Sequence, residues 1–593
     1  MSLDVSDHLV GRLHAWGVDR VFGYPGDGIN GLMRALDKAQ DDVRFIQARH
    51  EELAAFMACG HAKFTGRVGV CLATSGPGAI HLLNGLYDAK LDHQPVVAIV
   101  GQQARASLGG DYQQEVDLVS LCKDVAGEYV QMISVPAQVR HVIDRAMRIA
   151  IDQRCVTCVI VPNDVQDLDA VETPPREHGT VHSGIGITRK DLLPSSDALA
   201  MAADILNQGR RVAILAGAGA LHATDELIAI ADVLGAGIAK ALLGKAAVPD
   251  DLPFVTGGLG LLGTQPSTRM MESCDTLLMV GSHFPYAEYL PKEGKARGIQ
   301  IDLDGRRLGT RYPMELNLVG DSRLTLRALL PLLERKVDRT WRESIEKDVA
   351  TWWKVLEARA LTDAVPINPQ RVFWELSPLL PDDAILTGDS GSTAAWYARD
   401  VRLRRGMLAS LSGGLASMGS AVPYAIAAKY AHPMRPVVAF AGDGAMQMNG
   451  INGLISIARA FEEWSDPRLV VMVLNNGDLN FVSWEQRANA STRKFDASQN
   501  LPAFRYAEFA ALLGLTGIRV ERPSEIAAAW QTALSNTRPT VIEMITDPTV
   551  PPLPPHVPLK QVKSYLTALL HGDPEASAVI RSTAREWWEG IVR

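Results

Sequence analysis

The sequence predicts an α/β protein of three consecutive doubly wound parallel-sheet domains with a short C-terminal tail. Three observations predict it. At 593 residues the chain exceeds the roughly 250–300 residues that one hydrophobic core serves. Short apolar runs rich in β-branched residues alternate with helical stretches along its whole length, the pattern of parallel strands covered on both faces. Many of these runs end in Gly, Asp or Asn, at the strand ends where open α/β sheets carry their ligand loops.

The elements follow in order. "MSLDVSDHLVGRLHAWGV" opens as an amphipathic helix with acidic residues early. The runs "VGVCLA", "PVVAIVG" and "CVIVP" supply the strands of a first domain, residues 1–178. "VETPPREHGTVHSGIGITRKDLLPSS", rich in Pro, Gly and Ser, is a linker. "RVAILAG", "TLLMVG" and "IQIDLD" belong to a second domain, residues 192–335, and the charged helical stretch "LLERKVDRTWRESIEKDVATWWKVLEARA" leads on to a third, residues 365–550. That domain starts near "INPQRVFWEL", carries "PVVAFAGDG", "LVVMVLNN" and "TVIEMIT", and stops at the proline-rich "DPTVPPLPPHVP". A helical tail, residues 551–593, remains. No fine-grained repeat is apparent, although three units of similar size leave room for an old duplication.

Composition narrows the function. With 47% hydrophobic and 21% charged residues and a net charge of −8, the chain reads as a soluble globular protein, and nothing basic suggests a nucleic-acid partner. No stretch approaches the roughly 20 apolar residues of a membrane span, so a cytoplasmic location is expected. The six cysteines are scattered. Cys155 and Cys158, the close pair, fall on opposite faces of a strand and read as small buried apolar residues.

"AFAGDGAMQMNG" (439–450) and "VMVLNNGDLNF" (471–481) carry the first chemistry. Each alone is a turn after a buried strand. Together they offer the Asp443 carboxylate, the Asn476 side-chain amide and the Asp478 main-chain carbonyl, an oxygen half-shell suited to Mg²⁺ that a phosphate would complete. Gly442 and Gly444 let backbone N–H groups approach such phosphates.

In order and separation these segments resemble the fingerprint of the thiamine diphosphate-dependent enzymes. Their spacing is a few residues longer than usual in that family, with the excess in the polar loop "FEEWSDPR". The resemblance implies further residues. Glu51, in "QARHEELAAF", matches the glutamate that bonds the cofactor's aminopyrimidine, and the apolar segment behind it would shield its carboxyl from water. Gly23, Tyr24, Pro25 and Gly26, in "VFGYPGDGINGL", match the loop at the pyrimidine end. "GDSGSTAAWYAR" gives Gly391, Ser392 and Thr393 as diphosphate contacts. In "GGLASMGSAVPYAIAAK", Ala416 and Ser417 precede Met418, which matches the bulky residue holding the cofactor in its bent form. Gly442, Gly444, Ala445, Gly477, Leu479, Asn480, Phe481 and Val482 complete the expected cofactor contacts. The family builds each site between two subunits, which implies at least a homodimer, with a homotetramer as the expected assembly.

Within the family the chain looks most like the bacterial pyruvate oxidases and quinone-dependent pyruvate dehydrogenases of the acetolactate synthase-like group. The likeness covers essentially the whole chain. "TGGLGLLGTQPS" (Gly260, Leu261, Leu262, Gly263), "GSHFPYAEYLP" (Ser282, His283, Phe284, Pro285, Tyr286) and the strand-terminal Asp302 resemble FAD-binding segments, in which a glycine loop takes the diphosphate and a carboxylate a ribose hydroxyl. Phe481, Val482 and Glu485 fall where those enzymes line the reacting centre, as does Gln114. Asn480, where a Gly is usual, and Gln113, where an aromatic is usual, depart from the pattern. The implied activity is oxidative decarboxylation of a 2-oxo acid, foremost pyruvate, with electrons passed through FAD to quinone or oxygen. The alternative is a carboligase or non-oxidative decarboxylase with a structural flavin. A catalytically silent homologue is disfavoured, because Glu51, Asp443, Asn476 and Met418 keep the reactive types. In the tail, Val562, Leu566, Leu569 and Leu570 share a helical face beside Lys560 and Lys563, and Trp587 and Trp588 lie among arginines. That composition suits either docking on the protein's own surface or peripheral contact with the inner face of the membrane.

Overall fold

A computed structural model describes residues 3–188, 191–552, 559–570 and 573–591. Three six-stranded, all-parallel sheets organise the chain. The first holds β1 (Arg20–Gly23), β2 (Arg44–Gln47), β3 (Gly69–Ala73), β4 (Val96–Gln102), β5 (Val130–Met132) and β6 (Val156–Pro162), in the order β2-β1-β3-β4-β6-β5. The second holds β7 (Val212–Ala216), β8 (Gly237–Lys240), β9 (Val255–Gly258), β10 (Thr276–Val280), β11 (Arg297–Asp302) and β12 (Leu316–Val319), in the order β12-β11-β10-β7-β8-β9. Read from the other side this is the dinucleotide-binding order, with its switch point between β7 and β10. The third sheet holds β13 (Ile385–Gly388), β14 (Leu408–Leu411), β15 (Val437–Gly442), β16 (Leu469–Asn475), β17 (Thr516–Val520) and β18 (Thr540–Ile545). Its order, β14-β13-β15-β16-β18-β17, repeats that of the first sheet strand for strand.

Central strands such as β4, β6 and β10 are buried along their whole length, as continuous apolar runs demand when helices cover both faces. The first and third domains share one core. Helix Glu51–Thr65, which follows β2, packs on helix Ala421–Ala431, and a Cβ at Gly60 would lie 3.1 Å from the Tyr424 Cα. The absent side chain is what lets the two backbones approach so closely.

Between the helix Asn163–Gln166 and the helix Ser196–Gln208 the described linker has no regular element. Helix Thr340–Ala360 bridges the second and third domains. Among the described residues no helix is long and apolar enough to cross a membrane. The tail forms helices Leu559–Leu570 and Ala576–Ile591. The side chains of Lys560, Val562, Leu570, Trp587 and Trp588 lie outside the described residues, and Leu566 is exposed. All six cysteines are free thiols; Cys158 is buried within β6 and Cys155 stands just before it, half-buried.

Candidate active site

Because every sheet is parallel, the expected site segments leave the same carboxyl edge of their sheets. In the third sheet Asp443 follows β15 and accepts hydrogen bonds from the backbone N–H groups of Gly444 (2.9 Å), Asn476 (3.0 Å) and Gly477 (2.6 Å). Burial pushes its carboxyl up to about 6, against the pull of these three donors. The Asn476 Oδ1 accepts from the Asp478 N–H at 3.0 Å. The Asp478 carboxylate turns inward, accepting from the Ser483 hydroxyl (2.9 Å) and pairing with Lys494 (3.0 Å), which leaves its main-chain carbonyl for a cation. Antiparallel bonds from Leu479 N to Gln499 O (2.9 Å) and from Leu501 N to Gly477 O (2.9 Å) brace the loop. The donor set is all oxygen and includes a buried carboxylate, so the residues present fit Mg²⁺.

A cradle surrounds this loop. Gly391 (φ +91°) opens helix Ser392–Asp400, and a Cβ at Gly477 (φ +67°) would meet nothing within 4 Å. Over Gly444 a Cβ would come within 2.8 Å of Leu479 and 3.0 Å of the Met418 methyl, so both side chains close on the metal loop. Thr393 is buried, and a Cβ at Gly442 would meet its hydroxyl at 3.4 Å. The Ser392 hydroxyl donates to the Asn480 Oδ1 at 3.0 Å, so the departure at Asn480 is bonded into the cradle. Ala445 is buried beneath it.

The turn that follows Met418 is held by a residue that the motifs did not single out. Asp389, buried at the end of β13, accepts from the N–H groups of Gly419 (2.7 Å), Ser420 (2.9 Å) and Ala421 (3.4 Å). Burial pushes its carboxyl up to about 7, opposed by these donors. Ala416 (φ +55°) takes the left-handed conformation, and Ser417 is fixed through its N–H to the Ser412 hydroxyl at 2.9 Å. The only sequence signal for Asp389 was its place in "GDSGS", directly after an apolar strand.

In the first sheet, a Cβ at Gly23 would strike the Leu72 carbonyl at 2.7 Å and one at Gly26 would strike Thr74 at 2.6 Å. These contacts press the loop with Tyr24 and Pro25 onto the segment after β3. Glu51 is the first residue of its helix, capped by His50, whose ring nitrogen accepts from Glu52 N at 3.2 Å. Glu51 is buried, and its Oε2 bonds the Nδ1 of His81 at 3.0 Å. Gln114 (φ +62°) lies against Gly76, where an added Cβ would meet it at 2.9 Å. Asn84 Nδ2 donates to Glu52 Oε1 (2.5 Å) and to Ser417 Oγ (3.0 Å), so within one chain the two halves touch beside Glu51. Among the described residues no hydrogen bond or ion pair joins Glu51 to Asp443, Asn476 or Asp478.

The middle domain presents its three expected segments at one edge. Gly260 (φ +96°) makes a tight turn, with Phe284 3.0 Å from where its Cβ would be, and Phe284 meets Tyr286 edge-on at 5.6 Å. Gly263 backs onto Gly258, Ser282 Oγ accepts from Phe284 N at 3.2 Å, and Pro285 follows. His283 lies 5.7 Å from His93 of the first domain. Asp302 ends β11, accepts from Asp304 N at 2.9 Å, and is raised in pKa chiefly by burial. A glycine turn and a strand-end acid at the edge of a dinucleotide-type sheet fit a flavin dinucleotide. Leu262 packs against the third domain's core, and Leu261 joins Trp484, Ala488, Tyr565, Leu569 and Val579. Phe481 lies 5.8 Å from Trp484, Val482 is half exposed, and burial raises Glu485. The tail is therefore docked in this structure, and a bidentate Arg487–Asp573 pair (2.8 and 2.9 Å) fastens it.

Comparison with known proteins agrees with this geometry. Residues 3–121 match the thiamine pyrophosphate enzyme N-terminal TPP binding domain, 199–329 the central domain and 389–544 the C-terminal TPP binding domain. The protein YdaP of Bacillus subtilis (strain 168) is 36% identical over 558 residues, covering 94% of each chain. The pyruvate oxidase of Lactiplantibacillus plantarum is 32% identical over 74% of this chain and 72% of its own. The chloroplastic acetolactate synthase of Arabidopsis thaliana is 29% identical over 91% of this chain and 81% of its own. The chain belongs to the thiamine pyrophosphate enzymes, in the acetolactate synthase-like superfamily that holds both of these relatives.

Proposed function

We propose that this chain catalyses oxidative decarboxylation of a 2-oxo acid, pyruvate first among them, passing the electrons through FAD to a quinone or oxygen. One observation carries the oxidative reading. Leu261, beside the Gly260 turn, shares an apolar cluster with Trp484, which lies against Phe481. The flavin-type loop and the helix leaving the metal loop thus meet, and Phe481, on that helix, lies beside their contact.

Asp443, Asn476 and the Asp478 carbonyl would hold Mg²⁺ and Gly391, Ser392 and Thr393 the diphosphate. Bound thiamine diphosphate supplies the electron sink for losing CO₂. Glu51 would hold a proton at the pyrimidine nitrogen, Met418 would shape the cavity, and Phe481, with the half-exposed Val482, would line the reacting centre. Glu485, kept protonated more readily by burial, is the acid–base group of the proposal, and Gln114 would contribute a hydrogen-bonding amide. A second copy of the chain brings Glu51 to the metal loop, so the working unit is at least a homodimer. Peripheral contact of the tail with the inner membrane face, where a quinone would be met, belongs to the same proposal. It requires Tyr565, Leu569 and Val579 to leave Trp484.

The test is an anaerobic visible spectrum of the protein with thiamine diphosphate and Mg²⁺ before and after pyruvate. Bleaching of a flavin band, reversed by quinone or oxygen and absent in Glu51→Gln, is expected. CO₂ release with the band unchanged would favour the second reading, a carboligase with a structural flavin, which the likeness to acetolactate synthase across both chains supports.

A further inference from the structure

We infer that His81 is a positioning residue that commits one oxygen of the Glu51 carboxylate and leaves the other for the cofactor. The inference rests on the proposed role of Glu51 and deepens it. The two carboxylate oxygens are not equivalent. Oε2 bonds the His81 Nδ1 at 3.0 Å. Oε1 lies toward Gly78, 3.3 Å from where a Cβ would be, and among the described residues no hydrogen bond reaches it. A glycine there keeps open the side from which a ring nitrogen could approach.

His81 is itself held. Its ring lies 4.5 Å from that of His50, tilted by 31°. His50 is fixed in turn by its capping bond to Glu52 N, and the donor atoms of His50, Glu51 and His81 all lie within 4.8 Å of one another. The helix start therefore sets His50, His50 supports His81, and His81 orients the carboxylate. A carboxylate free to rotate about its last torsion would spend much of its time with neither oxygen aligned, whereas one anchored oxygen fixes the plane of both.

The residue came from elsewhere in the chain: His81 closes the short helix Pro77–His81 after β3, thirty positions beyond Glu51. That helix begins in "SGPG", so the turn that brings Gly78 under Oε1 also brings His81 to Oε2.

The test is hydrogen–deuterium exchange of the thiazolium ring proton, followed by NMR in the full protein loaded with thiamine diphosphate and Mg²⁺. Glu51→Gln should lower the exchange rate to that of free cofactor. His81→Ala should slow it about tenfold, the worth of one hydrogen bond to a charged group. His81→Asn, whose amide can donate from nearly the same place, should restore most of the rate. Cofactor affinity, read from quenching of tryptophan fluorescence, should stay within about twofold in both His81 variants, because His81 lies outside the diphosphate cradle. A wild-type rate in His81→Ala while Glu51→Gln is silent would overturn the inference and leave the reading of Glu51 standing. Loss of affinity in parallel with exchange would overturn it too, by reducing His81 to a structural role. Normal exchange in Glu51→Gln would overturn the reading of Glu51 and the inference together.

Discussion

At the scale of single residues, the site rests on carboxylates held by backbone N–H groups where burial alone would keep them neutral. Asp389 is the sharpest case, with a carboxyl pushed up to about 7 by burial. A carboxyl that keeps its proton in the fold to a higher pH than in the unfolded chain contributes less stability as pH rises between the two values. Asp389→Asn keeps the acceptor oxygen for Gly419 and Ser420 and removes the titration. Its unfolding free energy should gain on that of the wild type as pH rises from about 4 to about 7, by up to about 1.4 kcal/mol per pH unit, with a rising melting-temperature difference read by calorimetry at several pH values. Gly78→Ala tests the other half of the site. The new Cβ would lie 2.8 Å from Thr74 and 3.3 Å from Glu51 Oε1, so turnover should fall with the flavin retained and about 1–3 kcal/mol of stability lost, read by kinetics and thermal unfolding. Asp443 and Asn476 were legible in sequence because each sits in a short motif after an apolar strand, and Glu51 because "RHEE" matches the family's signature. Asp389 and His81 were not: the partners that define them lie about thirty positions away, and no local pattern announces a hydrogen bond of that range.

Among the elements, nine apolar runs were readable as strands, and they are β3, β4, β6, β7, β10, β11, β15, β16 and β18. All are interior to their sheets. Burial on both faces writes such strands as unbroken β-branched runs. The outermost strands β2, β5, β9, β12, β14 and β17 are short and only partly buried, so they carry too few apolar positions to be told from loops. The loop that lengthens the spacing before Asn476, the asparagine proposed to hold Mg²⁺, precedes Leu469, at the amino end of β16, whereas Asn476 follows its carboxyl end. Seven residues of strand, about 23 Å at 3.3 Å each, separate the insertion from the chemistry. The docked tail is a different matter. Its Arg487–Asp573 pair is buried, with the Asp573 side chain fully covered. Asp573→Asn would leave Arg487 with only Glu575 as a charged partner and should cost about 3 kcal/mol locally. Faster hydrogen exchange over 573–579 would register it, and Arg487→Met with Asp573→Asn should recover part of the protection.

For the whole molecule, the second domain is joined to the third by a small ionic lock. Lys240 and Lys245 flank Asp250 at 2.5 and 3.5 Å, and Asp250 also accepts from Leu403 N at 2.9 Å. Asp250→Ala would strand two buried ammonium groups, so calorimetry should resolve a separate, lower transition for the middle domain while the first and third still melt together. They should stay together because helices in equivalent places of two identical topologies, one after β2 and one after β14, form their shared core. The contact has the self-complementary form of a two-fold dimer, but both partners lie on one polypeptide. A true dimer of such domains would have to win its association against dilution. Here both partners lie on one polypeptide, so the shared core around Gly60, Tyr424 and Ala427 forms within a single chain and stays closed however scarce the protein becomes.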